Sequence, residues 1–548
     1  MAGAGFAIAG AGFAIAGVGF ANAAFTAAAG LATACRVAIG AAMTGAGRGF
    51  AGGAGAGSGT SSQPSSTSEE GRAGGTMGAI RASSLRNGPA GKYPASDSEL
   101  EALVDALGAL ERALDEGACA PVRRPSTELA ELSLDLRRDT PAVVRALVEA
   151  LTASETRTGH RRYFGLPNPS PTREATLGAA LAGALSAQLA TRSAAPLAIA
   201  IERRLVRELG ARFGLPDGGG TLTAGGAEAS TMAVHAALVR HDPLFPRRGA
   251  RGLARSPVVY VSAEGHPTIA KAVRMAGLGD DALRRVRVDA SLRMRPDALR
   301  EAIANDRLAG RAPVLVVATA GTTATGAIDD LEALATIAER ESAWLHVDAA
   351  WGGLLAIAPQ RRHHLAGIAR ASSIAFDPHK ALFVPTGAGA FLTRERDATG
   401  GLYAIESAYL PRDRRGEPHA TTPQWSRAFV GLPAFLSLAV GGFAELETRI
   451  ERQLELATRL TEGLAASGFR LTSESPLPVA CFVDGRSPEG ASARHLTKLA
   501  RAALRDAGAY LAVVRLPGGA RVLRAAIVSH RTGEGDVDAL VSALASAR

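Results

Sequence analysis

A chain of 548 residues with 47% hydrophobic and 21% charged side chains can bury a large core and form more than one domain, which excludes a small binding module. The formal charge of +9 and pI near 10 would suit a polyanion, but Lys and Arg are scattered through Ala-rich helical stretches, so they read as a solvated surface and no nucleic-acid partner is expected. The three cysteines, Cys35, Cys119 and Cys481, have no CxxC spacing; they offer neither a disulfide framework nor a zinc site, and point to a reducing, cytoplasmic setting without a metal.

Residues 1–92 differ from the rest. AGAGFAIAG occurs at 2–10 and again at 9–17, and no charge precedes Arg36. Ala and Gly partition weakly into lipid and a basic n-region is missing, so neither a membrane span nor a secretory signal is expected. From Gly45 to Gly91 the chain turns to Gly, Ser, Thr and Pro, too poor in apolar groups to fold. This segment reads as a disordered tail, with Met77 an alternative start.

Residues 93–185 read as a helical segment, with helices predicted over 98–116 and 140–154 and a Pro-rich turn, YFGLPNPSPT, from Tyr163 to Thr172. Residues 186–431 alternate helical stretches with short β-branched runs: PVVYVS (257–262), PVLVVAT (313–319), AWLHVD (343–348), SSIAF (372–376) and GAFLT (389–393). Apolar strands separated by helices predict an α/β domain whose central sheet is mostly parallel and covered on both faces. Residues 432–548, with the strands RLTSES and RVLRAAIV, read as a smaller α+β domain.

Ligands of such sheets bind beyond the carboxyl ends of the strands, so the strand exits are the residues to read. Gly225 and Gly226 precede a helix predicted to start near Ala227, an arrangement suited to a phosphate, although a glycine pair there is more often a tight turn. His266 in AEGHP could stack on an aromatic cofactor or merely cap a helix. Thr322 and Thr323 offer hydroxyls from a Gly/Thr loop. Asp348 ends an otherwise apolar strand, where a carboxylate needs a cationic partner such as a protonated pyridine nitrogen. His379 and Lys380 stand at the next exit, where a partly desolvated lysine can act as a nucleophilic amine.

The series TAGGAEAS, AEGHP, AGTTATGAID, HVDAAWGG and DPHK, in this order and spacing, resembles the group II pyridoxal-phosphate decarboxylases, which include aromatic amino acid, glutamate and tyrosine decarboxylases. With GHRRYFGLPNPSPT and QWSRAFVGL the similarity spans residues 95–450. It implies the aspartate-aminotransferase-like fold (fold type I), pyridoxal 5'-phosphate as cofactor, an amino acid substrate, aromatic or acidic, and a homodimer with shared active sites. It further implies that Lys380 forms the internal aldimine, Asp348 binds the pyridine nitrogen, His266 stacks on the ring and Thr323 lies near the ring substituents. Gly226, Ala227 and His379 would surround the phosphate, and Ala350 and Asp377 complete the cofactor-binding set.

Two departures bear on the substrate. Family members often have Ser where Gly225 and Ala227 stand, so phosphate binding would lean on backbone donors. Many have Asn-Pro-His-Lys-Trp, whereas Asp377 here adds a negative charge and Ala381 is expected to open space beyond the lysine. The resemblance also makes Tyr409, in ESAYLPRD, the acid that protonates Cα after CO₂ leaves. Alternatives are an aldehyde-forming relative, which Tyr409 argues against, a carbon–carbon lyase, and a non-catalytic homologue, which would be expected to lack Lys380 or Asp348.

Overall fold

The computed structural model describes residues 97–120, 139–399, 401–405, 416–486 and 492–548. The chain divides into two units, residues 1–103 with 133–143, and residues 104–132 with 144–548. In the first, the described residues are the opening turns of two helices, Asp97–Ala113 and Thr140–Ser154, the latter capped by Asp139, whose Oδ2 accepts the Ala142 N–H at 3.0 Å. The second unit carries every described strand.

Its described strands are β1 (Tyr163–Phe164), β2 (Gly219–Thr223), β3 (Pro257–Ser262), β4 (Leu283–Val286), β5 (Ala312–Thr319), β6 (Trp344–Asp348), β7 (Ser373–Phe376), β8 (Gly389–Thr393), β9 (Phe469–Leu471), β10 (Val479–Asp484), β11 (Tyr510–Arg515) and β12 (Arg521–Ala526). Seven form one sheet in the order β2-β8-β7-β6-β5-β3-β4. The five apolar runs read from sequence are its strands β3, β5, β6, β7 and β8. β2 and β4 were not legible, because two glycines open β2 and two arginines sit in β4.

Alternate residues of the central strands enter opposite cores. Tyr260, Val316, Val347 and Ile374 pack on one face, and Val259, Val261, Val317 and Phe391 on the other. Burial on both faces is why these strands read as continuous apolar runs. One strand runs against the rest: β8 is antiparallel to both β7 and β2. Between β7 and β8 the only helix is the short Pro378–Ala381, so no long crossover helix returns the chain to the start of the sheet and β8 enters reversed.

The second sheet has the order β1-β11-β12-β10-β9. Its core packs Phe164, Phe482, Leu496, Leu523 and Leu540, joining the sheet to the helices Leu432–Ala466, Ala493–Ala507 and Glu534–Ala547. Tyr163 and Phe164, from the segment read as a Pro-rich turn, pair in parallel with Tyr510 and Leu511 of this sheet. The rings of Tyr163 and Tyr510 stack at 5.4 Å, and Arg161 and Arg162 each reach buried Asp536 at 2.9 Å. The turn is thereby anchored to the C-terminal part of the chain, more than 300 residues away.

Candidate active site

Beyond β2 the chain passes through Gly225 into the helix Gly226–His241. Gly225 has φ +149°, which L side chains rarely adopt, and a Cβ on Gly226 would stand 3.2 Å from Asp377 Oδ2 and 3.5 Å from Ala350 Cβ. The two glycines keep open a cradle at the helix N-terminus, where amide donors and the helix dipole favour an anion. Ser230 and Thr231 turn their hydroxyls back to the carbonyls of Gly226 and Ala227, at 2.7 and 3.0 Å, so the anion donors left at this end are backbone amides.

His266 follows β3 at the mouth of the same space. Its Nδ1 accepts the Thr268 N–H at 3.3 Å, leaving Nε2 as the protonated nitrogen of the neutral ring. Lost hydration against the cavity wall holds its pKa below the ordinary imidazole value; the nearby Lys380 charge pushes the same way and Asp348 opposes it.

Past β5, Thr322 lines the cavity, but its hydroxyl is engaged within its own loop: Oγ1 accepts from Ala327 N at 3.1 Å and bonds Thr325 Oγ1 at 2.9 Å. Thr323 lines it too, as does Thr319, whose buried Oγ1 has no hydrogen-bond partner. Thr319 was missed by sequence reasoning because it sits inside the apolar run; its pairing with Asp348 across β5 and β6 reveals it. The loop is pinned from below by Asp329, 3% exposed, which accepts N–H bonds from Met294 at 2.6 Å and Thr319 at 2.8 Å.

Asp348 ends β6 and accepts from Ala350 N at 3.2 Å. On the same face of that strand His346 is fully buried and bonded through Nδ1 to Ser373 Oγ at 2.9 Å, and burial pushes its pKa down to about 4. A neutral aromatic layer thus underlies the Asp348 carboxylate.

After β7 the chain turns through Asp377 into Pro378–Ala381. Lys380 Nζ lies 2.8 Å from Asp377 Oδ2, while Asp377 Oδ1 is buried without a partner. His379 Nδ1–H donates to Ala388 O at 2.5 Å, which turns Nε2 toward Asp377 Oδ2 at 3.7 Å.

Together these exits enclose a cavity of about 250 Å³, lined by all nine expected cofactor contacts: Gly226, Ala227, His266, Thr323, Asp348, Ala350, Asp377, His379 and Lys380. Pro167 and Trp351 close it from the side. Tyr409 lies outside the described residues. One expectation is corrected: Ala381 opens no space beyond the lysine, because it is 2% exposed and packed in the hydrophobic core.

Arg524, on β12, stands behind this wall. It is 0% exposed, donates through Nε to Ala324 O at 3.0 Å and through Nη1 to Gly165 O, and its guanidinium lies 5.4 Å from the Trp351 ring centroid. Burial pulls its pKa down to about 10, and among the described residues no carboxylate pairs with it. Sequence reasoning missed it, since one more arginine in an Arg-rich chain carries no signal that it is buried.

Residues 137–483 match the model of the pyridoxal-dependent decarboxylase conserved domain. The chain belongs to the pyridoxal-dependent decarboxylase family. It is 31% identical to human cysteine sulfinic acid decarboxylase over 65% of this chain and 73% of that one, and 30% identical to the acidic amino acid decarboxylase of Bos taurus over 66% and 71%. It also resembles the crystal structure of Oryza sativa TDC with PLP and tryptamine, with a TM-score of 0.76 and 25% identity, covering 83% of this chain and 99% of that one. The fold is fold type I, the cofactor is pyridoxal phosphate and the reaction is decarboxylation of an L-amino acid. The residues present suit that cofactor: a cradle that a Cβ at 226 would invade, the orphaned Thr319 Oγ1, and a lysine and a carboxylate at adjacent strand exits. Among the described residues no helix is long and apolar enough to cross a membrane, and no cluster of metal-ligating side chains occurs.

Proposed function

We propose that this decarboxylase carries its cofactor on Lys380 and acts on an acidic L-amino acid, as a homodimer in the cytoplasm. One observation carries the assignment of the site: Lys380, Asp348, His266 and the Gly226 helix N-terminus, from four different strand exits, converge on one cavity. Pyridoxal phosphate, when bound, supplies the sink for the electron pair left as CO₂ departs.

In this reading each residue has a task set by its position. The amides of Gly226 and Ala227 bind the phosphate, with His379 at its side. Asp348 would accept a hydrogen bond from the protonated ring nitrogen and hold its charge. His266 would cover the ring, and Lys380, held beside Asp377, would offer its amine. Tyr409 delivers the proton that Cα needs once CO₂ has left.

The acidic substrate is favoured by the names of the relatives at 30% identity or more, which act on cysteine sulfinic acid and acidic amino acids. Buried Arg524 behind Trp351 adds a positive field on that side without a carboxylate to neutralise it. The direct test has two arms. Borohydride reduction of the holoenzyme followed by peptide mapping should place the cofactor on Lys380; a label on another lysine overturns the assignment. CO₂ release should be fastest with cysteine sulfinate, aspartate or glutamate, and faster release from tryptophan or tyrosine would reverse the choice of substrate.

A further inference from the structure

Asp377 is an unusual neighbour for an anion cradle. Its side chain is 1% exposed, and both carboxylate oxygens face the glycine that opens the phosphate-binding helix, 3.2 and 3.4 Å from where a Cβ on Gly226 would stand. One oxygen holds Lys380 Nζ at 2.8 Å; the other is buried and has no partner. Although Asp377 precedes Pro378–Ala381, its side chain makes no cap bond to that short helix, so local helix capping does not account for it. A buried carboxylate with half its acceptor capacity unused is costly, and here its charge is compensated by the lysine.

We propose that Asp377 is a positioning residue that gates cofactor loading: it clamps the Lys380 ammonium and opposes the entry of the phosphate beside it. This rests on Lys380 being the cofactor lysine. While the clamp is closed, Asp377 and Lys380 cancel, and the cradle offers an anion only the amides and dipole of the helix. Removing the carboxylate frees a full positive charge at the same place. Unit charges a few ångströms apart at a protein's effective dielectric interact strongly enough for about a tenfold or larger change in anion affinity.

The test uses cofactor-depleted full-length protein, with inorganic phosphate as the probe for the cradle and pyridoxal phosphate for loading, both followed by calorimetry. Asp377→Asn should bind inorganic phosphate about tenfold or more tightly than wild type and load pyridoxal phosphate faster. Lys380→Met should bind phosphate more weakly than wild type, because it leaves the carboxylate bare, and adding Asp377→Asn to it should recover about tenfold. Asp377→Ser, also neutral, replaces the amide if asparagine packs badly, and Asp377→Glu, which keeps the charge, should not tighten phosphate. Unchanged or weaker phosphate binding in both neutral variants, with melting curves like wild type, overturns the gate. Borohydride mapping on wild type separates the two possible failures: a label at Lys380 with phosphate binding indifferent to residue 377 rejects the gate alone, whereas a label elsewhere rejects the lysine assignment.

Discussion

Thr319 and Asp348 are partners in register across the parallel strands β5 and β6, and the next amide, Ala320 N–H, donates to Asp348 O at 2.8 Å. The pairing sets a carboxylate and an unpartnered hydroxyl side by side on the floor of the cavity. Asp348→Asn should therefore fold and load cofactor, because an amide can still hydrogen-bond the ring nitrogen, but should no longer hold that nitrogen charged. Turnover should fall by about a hundredfold or more, the scale of losing a preorganised electrostatic partner. Near-normal CO₂ release by a correctly loaded variant would refute the role.

The latch beneath the same floor makes a separate prediction. Burial raises the Asp329 carboxyl to about 6, above its ordinary value, against the opposing pull of the N–H bonds from Met294 and Thr319. The folded protein therefore keeps this proton to higher pH than the unfolded chain does, so this group's contribution to stability rises as pH falls from about 6 toward 4 and is a cost above 6. Asp329→Asn should lose about 1–3 kcal/mol, because its NH₂ must face one of two N–H donors. The amide does not titrate, so the gap in Tm between wild type and variant should be wider at pH 5 than at pH 7. A gap that narrows on acidification would contradict this.

Acid should nonetheless unfold the protein overall, through its buried histidines. His160, His346 and His530 are each pushed down to about 4, chiefly by burial. His160 shows why: its Nε2–H donates to Glu116 O at 3.2 Å and its Nδ1 accepts the Arg162 N–H at 3.0 Å, so both nitrogens are satisfied only in the neutral ring. These groups stabilise the fold above their unfolded value near 6.5, and that contribution is lost as pH falls toward 4. Tm should drop over that window, and His160→Gln should make the drop shallower. An unchanged slope in the variant would show that His160 does not titrate on unfolding.

Tyr409→Phe tests the proton donor through the product. If Tyr409 protonates Cα, the variant should still release CO₂, but the electron-rich centre left behind would be open to O₂ and water. The outcome is aldehyde, ammonia and hydrogen peroxide in place of amine. Full amine yield with no peroxide, measured by chromatography and a peroxidase-coupled assay, would mean that another group delivers the proton.

Much of the site was legible because each of its parts is local. His266, Asp348 and Lys380 stand at the end of an apolar run or a few residues past it, a place that chain order alone identifies, and Gly226 was marked by the glycine pair before its helix. Thr322 and Thr323 both line the cavity, but the Thr322 hydroxyl is bonded within its own loop. Residue type cannot separate the two, since the geometry of that turn decides which hydroxyl is bonded within the loop.

What the sequence by itself determined is therefore the class of fold, the family and the order of the chemistry along the chain, all carried by short-range periodicity and by motifs a few residues long. Tertiary structure alone decided the rest. It reversed β8, added Tyr163 and Phe164 to a sheet built from residues after 468, and set Arg524 behind Trp351. It also brought Asp329 under Thr319 and turned Asp377 from its helix cap toward Lys380. The placements of Arg524, Asp329 and Asp377 share one physical reason. Which buried polar group finds which partner depends on the desolvation each would suffer alone, and that cost exists only once distant segments have closed around it.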